Sequence, residues 1–163
     1  MAGGMAVTKE PGTDRFAQRF AAAGFAVLAF DHRRLGESGG EPRQVVRPRD
    51  ELADWDAAIE HARTLPGIDP SRIATWGFST TGGHMFRVAA DHPELAAVIA
   101  QTPNADGQAA ALNAVRYQRP GTLLRLVGRG ALDVLGGLAG LAPRLVALDG
   151  PPGTLAVLTT PDA

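Results

Sequence analysis

The chain has 163 residues, 45% apolar and 20% charged, with a net charge of −1 and no cysteine. That length suits one domain around a single core, and the scattered basic residues leave no electrostatic footprint for nucleic acid or an anionic membrane. Without cysteine there is no disulfide framework, thiol nucleophile or thiolate metal site, and no run approaches the ~20 apolar residues of a membrane span. The first thirty residues also lack the charged-then-apolar order of a secretory leader, so a cytoplasmic location is the expectation.

Met1 to Gly12 is small, Gly-rich and loop-like. Thr13 or Asp14 can cap a helix in which Phe16 and Phe20 lie one turn apart, and Gly24 suits the left-handed position that stops it. Phe25 to Phe30 (FAVLAF) is a short continuous apolar run bounded by turn signals, which predicts a buried strand of a parallel sheet. Asp31 to Pro48 is rich in Gly and Pro and predicts a long loop. A second helix is expected over about Asp50 to Leu65, with Leu52, Trp55, Ile59, Ala62 and Leu65 on one face.

Arg72 to Trp76 predicts a second strand, about Thr80 to Ala90 a third helix, and Ala97 to Ala100 a third strand. Alternating strands and helices imply right-handed crossovers and a parallel sheet covered on both faces. Beyond Gly107 the alternation fails. Residues 108–145 suggest helices loosened by Gly and Pro, and 146–163 a short apolar strand with turns.

The segment Trp76-Gly77-Phe78-Ser79-Thr80-Thr81-Gly82-Gly83-His84 carries the chemistry. A serine between a strand and a helix, with small residues on both sides, is what a nucleophile elbow needs: a strained backbone at the sheet tip and close approach of strand to helix. The helix then directs its first N–H groups at that spot, and the Thr80 amide is placed to stabilise an oxyanion. The pattern G-x-S-x-G has Thr81 at its second glycine, with Gly82 and Gly83 following to relieve the crowding. A Ser/Thr N-cap on a glycine-softened helix is the competing explanation.

With these residues in place, the chain resembles the α/β-hydrolase superfamily, in particular its esterase branch related to dienelactone hydrolases and the S15 peptidases. Ala21 to Gly40 (AAAGFAVLAFDHRRLGESGG) resembles that group's helix, strand and D-x-R-x-x-G-x-S-x-G loop; Arg72 to His84 resembles its strand and elbow; Ala97 to Gly107 resembles its next strand and loop. The resemblance implies a second oxyanion donor, the backbone N–H of Met5 after Gly3-Gly4, with Gly3 standing where the family has histidine.

In this fold the triad runs Ser, then Asp or Glu, then His. The chain has His32, His61, His84 and His92, and no histidine follows His92. His84 is expected to pack the helix, His92 and His61 to be solvated, and His32, in the loop after the first strand, is a candidate to line the pocket. Asp106 is a weak candidate acid; Asp31 suits a loop brace, and Asp133 and Asp149 fall in the cap segment.

The expectation is therefore a partial α/β-hydrolase fold, a parallel sheet flanked by helices with a helical cap segment. Residues 1–107 form the core and 108–163 a cap leading to a part beyond this chain, both ends being expected cuts. Ser79 attacks an ester, thioester or amide carbonyl to form an acyl-enzyme, with Met5 and Thr80 as oxyanion donors, Gly77, Gly82 and Gly83 shaping the elbow, and acid and base outside the chain. The partner is a small acyl substrate, with no metal or organic cofactor, no nucleic acid and no membrane. Unpaired sheet edges favour self-association. The alternative is an inactive remnant that serves as a binding module.

Overall fold

A computed structural model describes residues 1–159; the terminal Pro161-Asp162-Ala163 lies outside them. The chain divides into two compact units, Met1–Ala105 and Asp106–Ala163.

In the first unit an irregular helical turn, Lys9–Thr13, leads into α1, Asp14–Ala22. Gly24 closes α1 with φ +92°, its N–H bonding the Ala21 carbonyl and that of Phe25 bonding Phe20. This is the Schellman arrangement, and the Phe20 and Phe25 rings meet edge to face at 6.3 Å across it. α2 spans Pro48–Thr64, with proline in the first turn where a missing N–H costs nothing. β1 (Ala74–Phe78), α3 (Ser79–Asp91) and β2 (Ala97–Gln101) then form one β-α-β unit. β1 and β2 pair in parallel from Ala74↔Ala97 to Phe78↔Gln101.

Period-two alternation assigns the faces. Trp76 meets Phe16 of α1 at 5.1 Å and Phe20 at 6.4 Å. On the opposite face Val98 and Ala100 pack with Trp55 and Ile59 of α2 and Met85 and Val88 of α3. Trp55, Ile59, Met85 and Val88 are each at most 2% exposed, and each such burial contributes about 1.5–3 kcal/mol.

One predicted strand is corrected. Phe25–Phe30 forms no regular strand. Among the described residues its ladder-like bonds go to the first residue: Phe30 N–H to the Met1 carbonyl at 3.2 Å, and the Met1 amine to the Leu28 carbonyl at 2.7 Å. Ala2 in turn bridges to Gly77 of β1. Met1–Ala2 thus lies between this segment and β1, and two residues satisfy too few backbone groups to extend the ladder. Phe25 stays 61% exposed. β1 also starts and ends two residues later than expected.

The second unit holds α4 (Gly107–Val115), α5 (Pro120–Leu138) and two short strands, β3 (Ala147–Asp149) and β4 (Ala156–Leu158), paired in parallel where one strand was expected. Asp106 caps α4, accepting from the N–H groups of Gln108 and Ala109, so its carboxylate serves the helix terminus. Asp133 accepts the Arg144 N–H. No helix among the described residues is long and apolar enough to cross a membrane.

Candidate active site

Ser79 is the first residue of α3, directly after the last residue of β1, and its φ is +56°. A left-handed backbone costs a residue with a Cβ roughly 1–2 kcal/mol, so packing must impose it. The surroundings show how. A Cβ on Gly77 would lie 2.6 Å from the Thr81 carbonyl oxygen, and one on Gly82 would lie 2.9 Å from that of Gln101. A Cβ on Gly83 would overlap the Asn104 carbonyl oxygen. Bare glycines therefore let β1, the first turn of α3 and the loop after β2 close on one point. Thr81, at the usual second glycine of the motif, points into the interior at 1% exposure, and Gly82 and Gly83 provide the close approach instead.

The Gly-rich N-terminal loop reaches the same point: a Cβ on Gly4 would lie 3.1 Å from the Ser79 Cβ. Met5, the next residue, is half-buried, as are Ser79 and Thr80. Asp31 holds this loop in place. Its carboxylate accepts the Lys9 N–H at 2.6 Å and the Glu37 N–H at 3.1 Å, and the Lys9 ammonium lies 3.6 Å away.

None of the four histidines is hydrogen-bonded to Ser79. His92 binds Asp56 at 2.9 Å and Glu94 at 3.1 Å, and the Asp56 contact leads in raising its pKa. His61 is exposed on α2. His32 does not line a pocket as expected. It is 2% exposed, its ring set edge-on to Phe30 (5.2 Å) and near Trp55 (6.4 Å), with Asp54 at 3.5 Å from Nδ1. Burial lowers its pKa to about 4 against the opposing pull of Asp54, so the ring is neutral. The nearby open cleft of about 310 Å³ is lined by Leu28, Phe30, Asp31, Arg33, Asp54 and His61 among others, and by neither His32 nor Ser79.

A buried pair joins two helices whose sequence signals are separate. Glu51 of α2 and His84 of α3 face each other, Oε2 to Nε2, at 3.1 Å, with the side chains 4% and 6% exposed. The signal was present: Glu51 lies one turn before Trp55 on the apolar face of α2, an unusual place for a carboxylate.

A parallel β-α-β unit with a left-handed serine at the strand-to-helix junction defines the α/β-hydrolase class of fold. The comparisons agree. The family model for serine aminopeptidase, S33 (Hydrolase_4) matches residues 11–134, and the chain belongs to this α/β-hydrolase family. It is 42% identical over all 163 residues to the quorum-quenching protein AidA of Acinetobacter baumannii, and 38% identical over 103 residues to the thiohydrolase aneE of Aspergillus aculeatus. The matched chain covers 52% of the former and 32% of the latter. The crystal structure of the α/β hydrolase GrgF from Penicillium is similar with a TM-score of 0.72 at 24% identity, over 95% of this chain and 52% of that one. The match thus falls in the S33 branch, within the superfamily that the motifs resemble.

Proposed function

We propose that Ser79 is the nucleophile of a serine hydrolase that attacks an ester, thioester or amide carbonyl and forms an acyl-enzyme. The observation that carries this reading is the left-handed Ser79 at the β1–α3 junction, with the first turn of α3 on one side and Gly4 on the other. In that reading the Ser79 Oγ bonds to the carbonyl carbon, its proton leaves to a general base, and the carbonyl oxygen gains the negative charge. The Thr80 and Met5 amides receive that charge, aided by the positive end of α3; when the carbonyl re-forms, the C–O, C–S or C–N bond of the substrate breaks and the alcohol, thiol or amine leaves with the proton returned by the base. In this reading acid and base lie outside this chain, since none of its histidines is hydrogen-bonded to Ser79. A thioester stays among the candidate substrates because the Aspergillus relative is a thiohydrolase. The second unit is read as the cap segment of such an enzyme, and the setting as cytoplasmic.

The test is a chimera joining this chain to the half of the Acinetobacter protein that it does not match, treated with a fluorophosphonate probe. Labelling that disappears in S79A supports the reading; labelling that persists in S79A overturns it. A second reading, a non-catalytic binding module, is favoured for the isolated chain by the want of a histidine at Ser79. It predicts a folded chimera that takes up no probe.

A further inference from the structure

The Glu51–His84 pair lies beneath the first turn of α3, and its two faces constrain each other. His84 Nδ1 is 3.5 Å from the carbonyl oxygen of Thr80, and Nε2 faces Glu51 Oε2 at 3.1 Å. Glu51 Oε2 and His84 Nε2 have no other hydrogen-bond partner, and both are sealed from solvent. A carbonyl oxygen only accepts, so the attractive arrangement places the imidazole proton on Nδ1. In a neutral ring Nε2 is then an acceptor, and a carboxylate facing it would set lone pair against lone pair. Protonating Glu51 removes the conflict without placing two charges in a site sealed from solvent: its O–H donates to Nε2, and Nδ1–H donates to Thr80.

We propose that Glu51 is held as a neutral carboxylic acid and acts as a positioning residue. It locks His84 in the Nδ1–H tautomer, and His84 anchors the Thr80 carbonyl and with it the turn that carries Ser79. The bearing on catalysis rests on the Ser79 reading; the proton arrangement does not.

The electrostatic surroundings agree. Burial, with a smaller contribution from the Asp54 charge, raises the Glu51 pKa to about 7, and burial lowers that of His84. The titratable groups around the pair are Asp54 on the same helix, His32 after the Phe25–Phe30 segment, and the Met1 amine, which acts on His32 and whose own pKa burial lowers to about 5. His32 and the amine are thus uncharged near neutrality, and burial, with the Asp54 charge adding to it, holds the proton on Glu51. Loss of that proton near neutral pH releases the anchor, so the turn at Ser79 responds to pH through a group that touches no substrate.

The test is nitrogen-15 NMR of the histidine rings and backbone amides in the whole chain, wild type and E51Q, titrated across neutrality. Wild type is expected to show His84 protonated on Nδ1 and free on Nε2 at mildly acid pH, with the Thr80 amide shifting at the Glu51 midpoint. In E51Q the glutamine amide still donates to Nε2, so the tautomer persists while that midpoint vanishes from Thr80. A wild-type Nε2–H tautomer, or an unchanged Thr80 midpoint in E51Q, overturns the proposal. If E51Q fails to fold, the wild-type tautomer decides alone. Neither readout depends on probe uptake, so failure here is distinct from failure of the Ser79 assignment.

Discussion

The backbone N–H of Asn104 donates to the carbonyl of Ser79 at 2.9 Å. This bond ties the loop after β2 to the one residue of the β1–α3 junction whose backbone is left-handed. Because a backbone hydrogen bond left unmade away from water is costly, this half-buried one helps to hold Ser79 where an isolated chain would relax. The bond forms only because Gly82 and Gly83 let the Gln101–Ala105 backbone lie against α3.

Ser79→Gly separates strain from chemistry. Glycine adopts φ +56° without the Cβ penalty, so the first unit is expected to gain about 1 kcal/mol in urea unfolding. Both tryptophans, Trp55 and Trp76, lie in this unit, and their fluorescence reports it. The same substitution removes the hydroxyl and abolishes probe labelling in the chimera. A loss beyond the ~1 kcal/mol that glycine costs through the unfolded chain would show that Ser79 is not strained.

Two glycine-to-alanine substitutions should act in opposite directions. Gly83→Ala drives a Cβ into the Asn104 backbone and is expected to cost about 1–3 kcal/mol by tryptophan-monitored unfolding. Gly128→Ala, within α5 with open space around it, should stabilise its helix by about 0.5–1 kcal/mol, measured as helical circular dichroism against temperature.

Asp31→Ala removes the acceptor shared by the Lys9 and Glu37 amides and leaves both donors without it. The expected loss is about 2–3 kcal/mol of first-unit stability. Asp31→Asn, which keeps an acceptor oxygen, should lose less. Equal losses would mean that the charge, not the hydrogen bonds, is what matters.

Stability should fall on both sides of an intermediate pH. His32 has its folded pKa depressed from 6.5 to about 4, so its contribution is present above 6.5 and is lost as pH falls through about 4. Glu51 has its folded pKa raised from 4.5 to about 7, so its contribution is complete below 4.5 and is lost as pH rises through about 7. Replacing His32 with Gln should flatten the acid limb of urea-unfolding free energy, by roughly 2–3 kcal/mol at its lower end. An acid limb unchanged by H32Q would assign it to other groups.

The free edge of β2 is expected to promote self-association. β2 pairs only with β1 among the described residues, and Ile99 in it is 43% exposed. Ile99→Lys places a charge on that strand and should shift the molar mass seen by light scattering toward the monomer. An unchanged mass would move the association surface elsewhere, for instance to exposed Leu124 and Leu138 of α5.

Local patterns in the sequence were enough to place Ser79 between a strand and a helix, to end α1 at Gly24, and to set the apolar face of α2. Each of these depends on neighbours within a few residues: a period of 3.6, a glycine at a turn, small residues around a serine. The apolar run Phe25–Phe30 was equally legible as apolar, yet whether it becomes a strand depends on how much backbone lies beside it. Likewise His32 follows that run just where a pocket residue would, and only the packing of Phe30 and Trp55 turns its ring inward. The meeting of Glu51 with His84 could be settled only by the register of α2 against α3, because the contact joins two helices whose local signals are independent. Sequence alone determined which groups can react and where the chain turns, since covalent neighbours set backbone preference. Tertiary structure decided which of those groups lose water and which share a proton, since desolvation and pairing arise from residues far apart along the chain.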